Sequence, residues 1–180
     1  MNNSVESLLE DDHASLGELL TELDQELTKP NFTRAFELLD LFWARLAVHI
    51  RAEHLHLFPA LTSEPASHFA SESLLPTFDE AHSLLLELRS DHDFFMKELA
   101  QIIKAAREIA GRPSASHDEI SELRQRMTVI RVRLETHNRL EEQQAYTWPK
   151  LLFDEETLNA IGNRLRAELE NLPPRFVRQD

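Results

Sequence analysis

Four stretches of this chain repeat apolar residues in alternating steps of four and three, and every repeat is interrupted at one level by histidine or glutamate. The first stripe is Leu9, His13, Leu16, Leu20, Leu23, Leu27. The second is Leu39, Phe42, Leu46, His49, Glu53, His56, Ala60. The third runs Phe78, Ala81, Leu85, Leu88, His92, Phe95, Leu99, Ile102, Ala106, Ile109. The fourth runs Ile120, Leu123, Met127, Ile130, Leu134, His137, Glu141, Gln144, Trp148. Steps of three and four put each stripe on one face of an α-helix, the seam of a helix bundle.

Punctuation between the stripes sets the helix limits. The first helix spans about Val5 to Leu27 and is broken by Lys29-Pro30-Asn31. The second spans about Thr33 to Leu61. A Ser-, Pro- and Ala-rich loop, Thr62 to Ser73, follows and carries His68. The third starts near Pro76 with capping-box spacing at Thr77 and Glu80, and Gly111-Arg112-Pro113 ends it. Ser116 and Glu119 repeat the capping-box spacing at the start of the fourth. Beyond Pro149, Leu158, Ile161, Leu165 and Leu169 mark a peripheral fifth helix from about Glu155 to Leu172, before a poorly ordered tail. The fold expected is all-α: an up-down-up-down four-helix bundle over residues 1–153, with residues 154–180 adding a C-terminal helix and tail to the same domain.

Composition narrows what such a bundle does. With 180 residues the chain can bury one substantial core, and three glycines favour helix. No cysteine is present, which excludes disulfides, thiolate metal sites and thiol catalysis. A net charge of -13 opposes binding to nucleic acid or an anionic membrane. No apolar run approaches the roughly 18 residues of a membrane span. The acidic N-terminus lacks the layout of a secretion signal, so a cytoplasmic location is expected.

The polar interruptions carry the chemistry. His49 and Glu53, and again His137 and Glu141, stand four residues apart, one turn along a single helix face. In antiparallel neighbours, residues equally far from the connecting turn lie at one height. At about 1.5 Å per residue, His13, His49, Glu53, His92, His137 and Glu141 fall within a few ångströms of one level. His82 lies off the third stripe and about ten residues away, which marks it as a flanking residue. His56 points inward one level further along, as a hydrogen-bond donor behind the ligands or the lining of an access path. His54 and His117 are expected on the surface.

Two carboxylates and four imidazoles in one core layer are costly to bury without a cation, by several kcal/mol per uncompensated charge. Imidazole with carboxylate and no thiolate suits iron, manganese or zinc. Six donors exceed one tetrahedral zinc and suit two ions, each with two terminal histidines and both bridged by Glu53 and Glu141. An oxo or hydroxo bridge would give each ion a fifth donor and leave room for an external ligand.

These motifs resemble the hemerythrin-like family, also called the HHE cation-binding domain. The resemblance covers Leu9 to Leu151. It rests on Asp12-His13, on His49-x-x-x-Glu53 with Leu57-Phe58-Pro59, on Asp91-His92-Asp93 and on His137-x-x-x-Glu141-Glu142. It implies a four-helix bundle around a non-haem di-iron centre that binds or senses dioxygen, peroxide or nitric oxide, or that decomposes peroxide or handles iron. Oxygen carriers of the family have a second histidine four residues after the third-helix ligand, where this chain has Met96. They also use His-x-x-x-x-Asp on the fourth helix, where this chain has His137-x-x-x-Glu141. Both departures favour a sensing, peroxide-handling or iron-handling variant over a reversible carrier.

Overall fold

The computed structural model describes residues 4–29, 32–63, 75–112 and 116–176. The break at Pro30 and Asn31, His68 with most of its loop, Pro113 and the end of the tail lie outside these residues. All regular structure among the described residues is helical. Helix α1 spans Val5–Glu26, α2 Phe32–Ala52, α3 Phe58–Ser63, α4 Phe78–Ala110, α5 His117–Gln143, α6 Pro149–Leu152 and α7 Glu155–Leu169. No described helix is long and apolar enough to cross a membrane.

Local chemistry sets the helix ends. The hydroxyls of Thr77 and Ser116 each accept the backbone N–H three residues on. Glu80 and Glu119 reach back to the cap N–H, so both capping boxes are formed. Ser4 and Asp154 cap α1 and α7 through their own side chains.

The long helices pack as a ring: α1 on α2, α2 on α4, α4 on α5, and α5 back on α1. Side-chain pairs give the direction of each contact. Asp12 meets His49, Ser15 meets Arg45 and Glu22 meets Arg34, so α1 and α2 run antiparallel. Asp91 with Arg133, and Gln101 with Arg126, make the same statement for α4 and α5.

The stripes are the core. Leu9, Leu16, Phe42, Leu88, Phe95, Leu99, Ile102 and Ile130 are each at most 1% exposed. Buried apolar residues form two clusters. One is built on Leu16 to Leu27, Phe42, Leu99 and Ile130; the other on Leu9, Leu57, Phe58, Leu85, Tyr146 and Leu165. The layer of His13, His49, Glu53, His92, His137 and Glu141 lies between them in every stripe.

Three expectations need correction. The second helix is not continuous to Leu61: Glu53–Leu57 is a π-helical turn between α2 and α3. The extra residue rotates the chain, so Leu57, Phe58 and Leu61 take the core positions expected of His56 and Ala60, which are only half-buried. The fourth stripe also stops early. α5 ends at Gln143, Gln144 is exposed, and a short 3-10 turn at Ala145–Thr147 turns Ala145 and Tyr146 inward instead. Finally, α7 is less peripheral than its place in the sequence suggested. It packs on α1, α2 and the π-turn, with Leu165 fully buried.

Burial decides which truncations matter. Leu99 is 0% exposed and Leu86 is 55% exposed, although both are helical leucines of α4. Leu99→Ala is expected to cost about 2–5 kcal/mol in denaturant unfolding, and Leu86→Ala less than about 0.5 kcal/mol. Equal losses would mean that the register of α4 is wrong.

Candidate metal centre

All six expected residues meet in the layer between the two core clusters, and each is at most 6% exposed. His13 comes from α1, His49 from the last turn of α2, and Glu53 from the first residue of the π-turn. His92 comes from α4, and His137 and Glu141 from the last two turns of α5. His13 Nε2 lies 3.1 Å from His49 Nε2, and His92 Nε2 lies 2.9 Å from His137 Nε2. Glu141 stands between the pairs, with Oε2 3.3 Å from His13 Nε2 and Oε1 3.1 Å from His137 Nε2. Glu53 Oε2 is 3.7 Å from His49 Nε2 and 3.3 Å from His92 Nε2. Donor atoms of His13, His49 and Glu141 lie within 4.8 Å of one another, as do those of His92, His137 and Glu141.

The outer ring nitrogens are tethered. His49 Nδ1 lies 2.9 Å from Asp12 Oδ2, and His137 Nδ1 lies 3.3 Å from Asp91 Oδ2. His13 Nδ1 is 2.8 Å from Glu142 Oε1, and His92 Nδ1 is 2.9 Å from His54 Nε2. An ionised carboxylate only accepts, so three of these Nδ1 atoms carry the proton and donate it. In the neutral rings Nε2 is then left with a lone pair. His13 and His49 thus aim two lone pairs at each other across 3.1 Å, an arrangement relieved only by a proton or a cation between them. Two buried carboxylate oxygens, Glu53 Oε2 and Glu141 Oε1, accept no hydrogen bond. Such orphans are rare in a folded core, and a cation would satisfy both. The residues present therefore fit a pair of metal ions.

Each aspartate tether is itself anchored. Arg45 bonds Asp12 at 2.5 Å, and Arg133 bonds Asp91 at 2.6 Å. Both arginines stand one turn before the histidine their aspartate holds. The chain therefore carries the repeat Arg45-x-x-x-His49-x-x-x-Glu53 and Arg133-x-x-x-His137-x-x-x-Glu141. That repeat was visible in the sequence; Arg45 and Arg133 would have been found by extending the His-Glu spacing one step back.

Other histidines divide differently from expectation. His54 is not a surface residue: the π-turn brings it half-buried against His92 and 5.6 Å from the Phe58 ring. His56 is rotated out of the layer, and its Nε2 lies 3.9 Å from Glu168 Oε2 on α7. His82 and His117 are exposed. The residue that sequence spacing missed outright is Tyr146, 1% exposed. Its hydroxyl donates to Glu53 Oε1 at 2.7 Å and lies 3.1 Å from Glu141 Oε2. It sits off every seam, two residues before Trp148-Pro149, where no helical period could mark it.

Electrostatics follow the geometry. Burial favours neutral His13, but the carboxylates of Glu141, Glu142 and Glu53 outweigh it and raise its pKa to about 9. Burial and then the neighbouring charge of Glu141 push Glu53 up to about 7. Burial acts the same way on Glu141, yet the imidazoles of His13, His137 and His92 packed around it hold it well below the usual carboxylate range. Burial lowers His92 despite Glu141, whereas for His137 the Glu141 carboxylate prevails and the pKa rises.

A family model described as the hemerythrin HHE cation binding domain matches residues 4–149. No curated protein and no solved structure matches the chain.

Two measurements bear on this arrangement. Removing a tether should loosen the ligand behind it, so Asp12→Ala and Asp91→Ala are each expected to weaken metal affinity roughly 10–100-fold in competition titrations. Unchanged affinity would mean that His49 and His137 are not ligands. The second concerns pH without metal. His13, with a pKa of about 9 folded against 6.5 unfolded, contributes stability that is fully present below 6.5 and lost as pH rises to 9. His137 acts in the same direction. Glu53 binds its proton more tightly when folded, and losing it up to about pH 7 also lowers stability. In chelator, the melting temperature should fall from pH 6.5 to 9; a flat or rising profile would refute the clustered charges.

Proposed function

The chain belongs to the hemerythrin HHE cation-binding family, and on that premise we propose a non-haem di-iron protein that binds or senses dioxygen or a related small oxidant. His13 and His49 would be the terminal ligands of one ion, and His92 and His137 those of the other. Glu53 and Glu141 would bridge them, within an up-down-up-down bundle. Manganese or zinc suits the same donors as a substitute. The observation that carries the reading is the pair of tethered imidazoles, His13 and His49, whose inner nitrogens converge 3.1 Å apart beside two unsatisfied carboxylate oxygens.

Two irons so held supply reversible electron exchange with a small oxidant. The chain's own contribution is position and exclusion. Asp12, Asp91, Glu142 and His54 fix the ring planes, so that each Nε2 faces inward at the moment of binding. Phe58 stacks against His92 at 5.9 Å and Phe95 meets His137 edge-on at 5.3 Å, keeping water from that end of the layer. A groove of about 610 Å³ between α1 and α5 reaches the other end at His13, lined by Ala14, Gly17, Leu134 and Asn138. A side chain at position 17 would stand in open space, so glycine there leaves the approach to His13 clear. A groove of that size is ample for a diatomic or for peroxide.

Elemental analysis of protein from iron-supplemented cells should find close to two irons per chain. Folded protein with near-zero metal would remove the di-iron reading. Glu53→Gln keeps the shape and removes one of two bridging charges. It should lower the iron content and shrink the rise in melting temperature that iron confers. An equal rise in wild type and variant would show that Glu53 does not bind metal. Added peroxide separates two forms of the proposal: rapid turnover marks an enzyme, and a stable liganded species marks a binder or sensor.

A further inference from the structure

Tyr146 occupies a position that the six expected ligands do not account for. It is the chain's only tyrosine. The 3-10 turn after α5 delivers it into the ligand layer, where its hydroxyl is close to four donor atoms. Oη lies 2.7 Å from Glu53 Oε1, 3.1 Å from Glu141 Oε2, 3.1 Å from His13 Nε2 and 3.4 Å from His49 Nε2.

Those distances distinguish a ligand position from the ion's own position. Metal bonds of about 2.1 Å to nitrogen or oxygen set adjacent donors about 3.0 Å apart. The donors around Oη are already at that spacing from one another: 3.1 Å between His13 and His49 Nε2, and 3.3 Å between His13 Nε2 and Glu141 Oε2. If Oη filled the centre of the cage, its neighbours would be spread further apart than they are from it. Oη therefore stands as one more vertex of the same polyhedron.

We propose that Tyr146 is a fifth protein donor, bound as phenolate, to the ion held by His13, His49, Glu53 and Glu141. This rests on the di-metal reading above. Coordination forms one metal–oxygen bond and breaks the phenol O–H bond heterolytically. The proton leaves to solvent and no electron moves, so iron(III) needs no co-reactant to bind.

The two halves of the site differ as a result. No described oxygen or nitrogen side chain plays the part of Tyr146 on the His92 and His137 side, where the Phe58 and Phe95 rings lie instead. One ion would have five protein donors and the other four. The repeat of Arg, His and Glu along α2 and α5 is thus broken by a single side chain, which makes the two ions unequal in their donors.

Because there is one tyrosine, the wild-type protein reports on it without substitution. Full-length protein with ordinary or ring-deuterated tyrosine is loaded with iron(III). Resonance Raman spectra are then taken with visible excitation, and iron is counted in the same samples. Expected are phenolate ring modes that shift on deuteration, together with a visible absorption band lost in Tyr146→Phe at retained helicity. Protein carrying about two irons but showing no tyrosine-sensitive mode overturns the proposal and leaves the di-iron reading intact. Protein that takes up no iron overturns both.

Discussion

The structure depends on where three of four clustered imidazoles are forced to keep their protons. Asp12, Asp91 and Glu142 accept from the outer nitrogens of His49, His137 and His13, and an acceptor-only partner leaves no choice of tautomer. Every inner nitrogen so fixed presents a lone pair to the interior. The bundle concentrates electron density at its centre, together with two carboxylates that are 0% exposed. In the absence of metal that density is met by protons, which is why His13 is held charged up to about pH 9. Proton and cation compete for one place, and any metal that binds must displace the proton.

That layer also divides the apolar core. Leu16 and Leu9 belong to different clusters, as do Phe95 and Leu88 on α4, with a buried histidine of the polar layer between the members of each pair. A conventional bundle would close such a gap with leucine. Here the two apolar halves communicate through a polar layer whose cohesion depends on what fills it. A cation filling that layer would therefore couple binding to folding, and not only because ligands need order. The anchoring of Asp12 by Arg45 and of Asp91 by Arg133 extends the same dependence outward to the half-exposed edge of the bundle.

Much of this was legible in the sequence because helices and seams obey fixed periods. Leu9 to Leu27, Leu39 to Glu53, Ala81 to Ile109 and Leu123 to Glu141 follow the three-four rhythm without slip, and the structure brings all six polar interruptions to one level. The capping boxes at Thr77 and Ser116 were legible for the same reason, since their chemistry is local. Reading failed where the period itself changes. A π-turn adds a residue per turn and leaves no compositional mark, so His56 was placed inside and His54 outside, whereas His54 meets His92 and His56 faces Glu168. Tyr146 was missed because a 3-10 turn, not a seam, brings it inward. Both departures from regular helix lie at the ligand layer, where π-turns are known to be recruited to redirect side chains.

The π-turn gives the clearest link from backbone to chemistry. Had α2 continued undisturbed, His56 would have pointed inward and His54 outward, and His92 would lack its partner at the outer nitrogen. The inserted residue moves His54 to within 2.9 Å of His92 Nδ1, so that His92 meets a neutral imidazole where the other three histidines have a carboxylate. A neutral partner draws less charge onto its histidine than an aspartate does. Burial lowers the His92 pKa, whereas around His13 and His137 the carboxylates outweigh burial and raise it. The two imidazole pairs are thus unequal in their outer contacts as well as in the aromatic groups that face them: phenol beside His13 and His49, phenylalanine rings beside His92 and His137. A site built from a repeated motif on α2 and α5 becomes chemically directional through one extra backbone residue and one displaced turn.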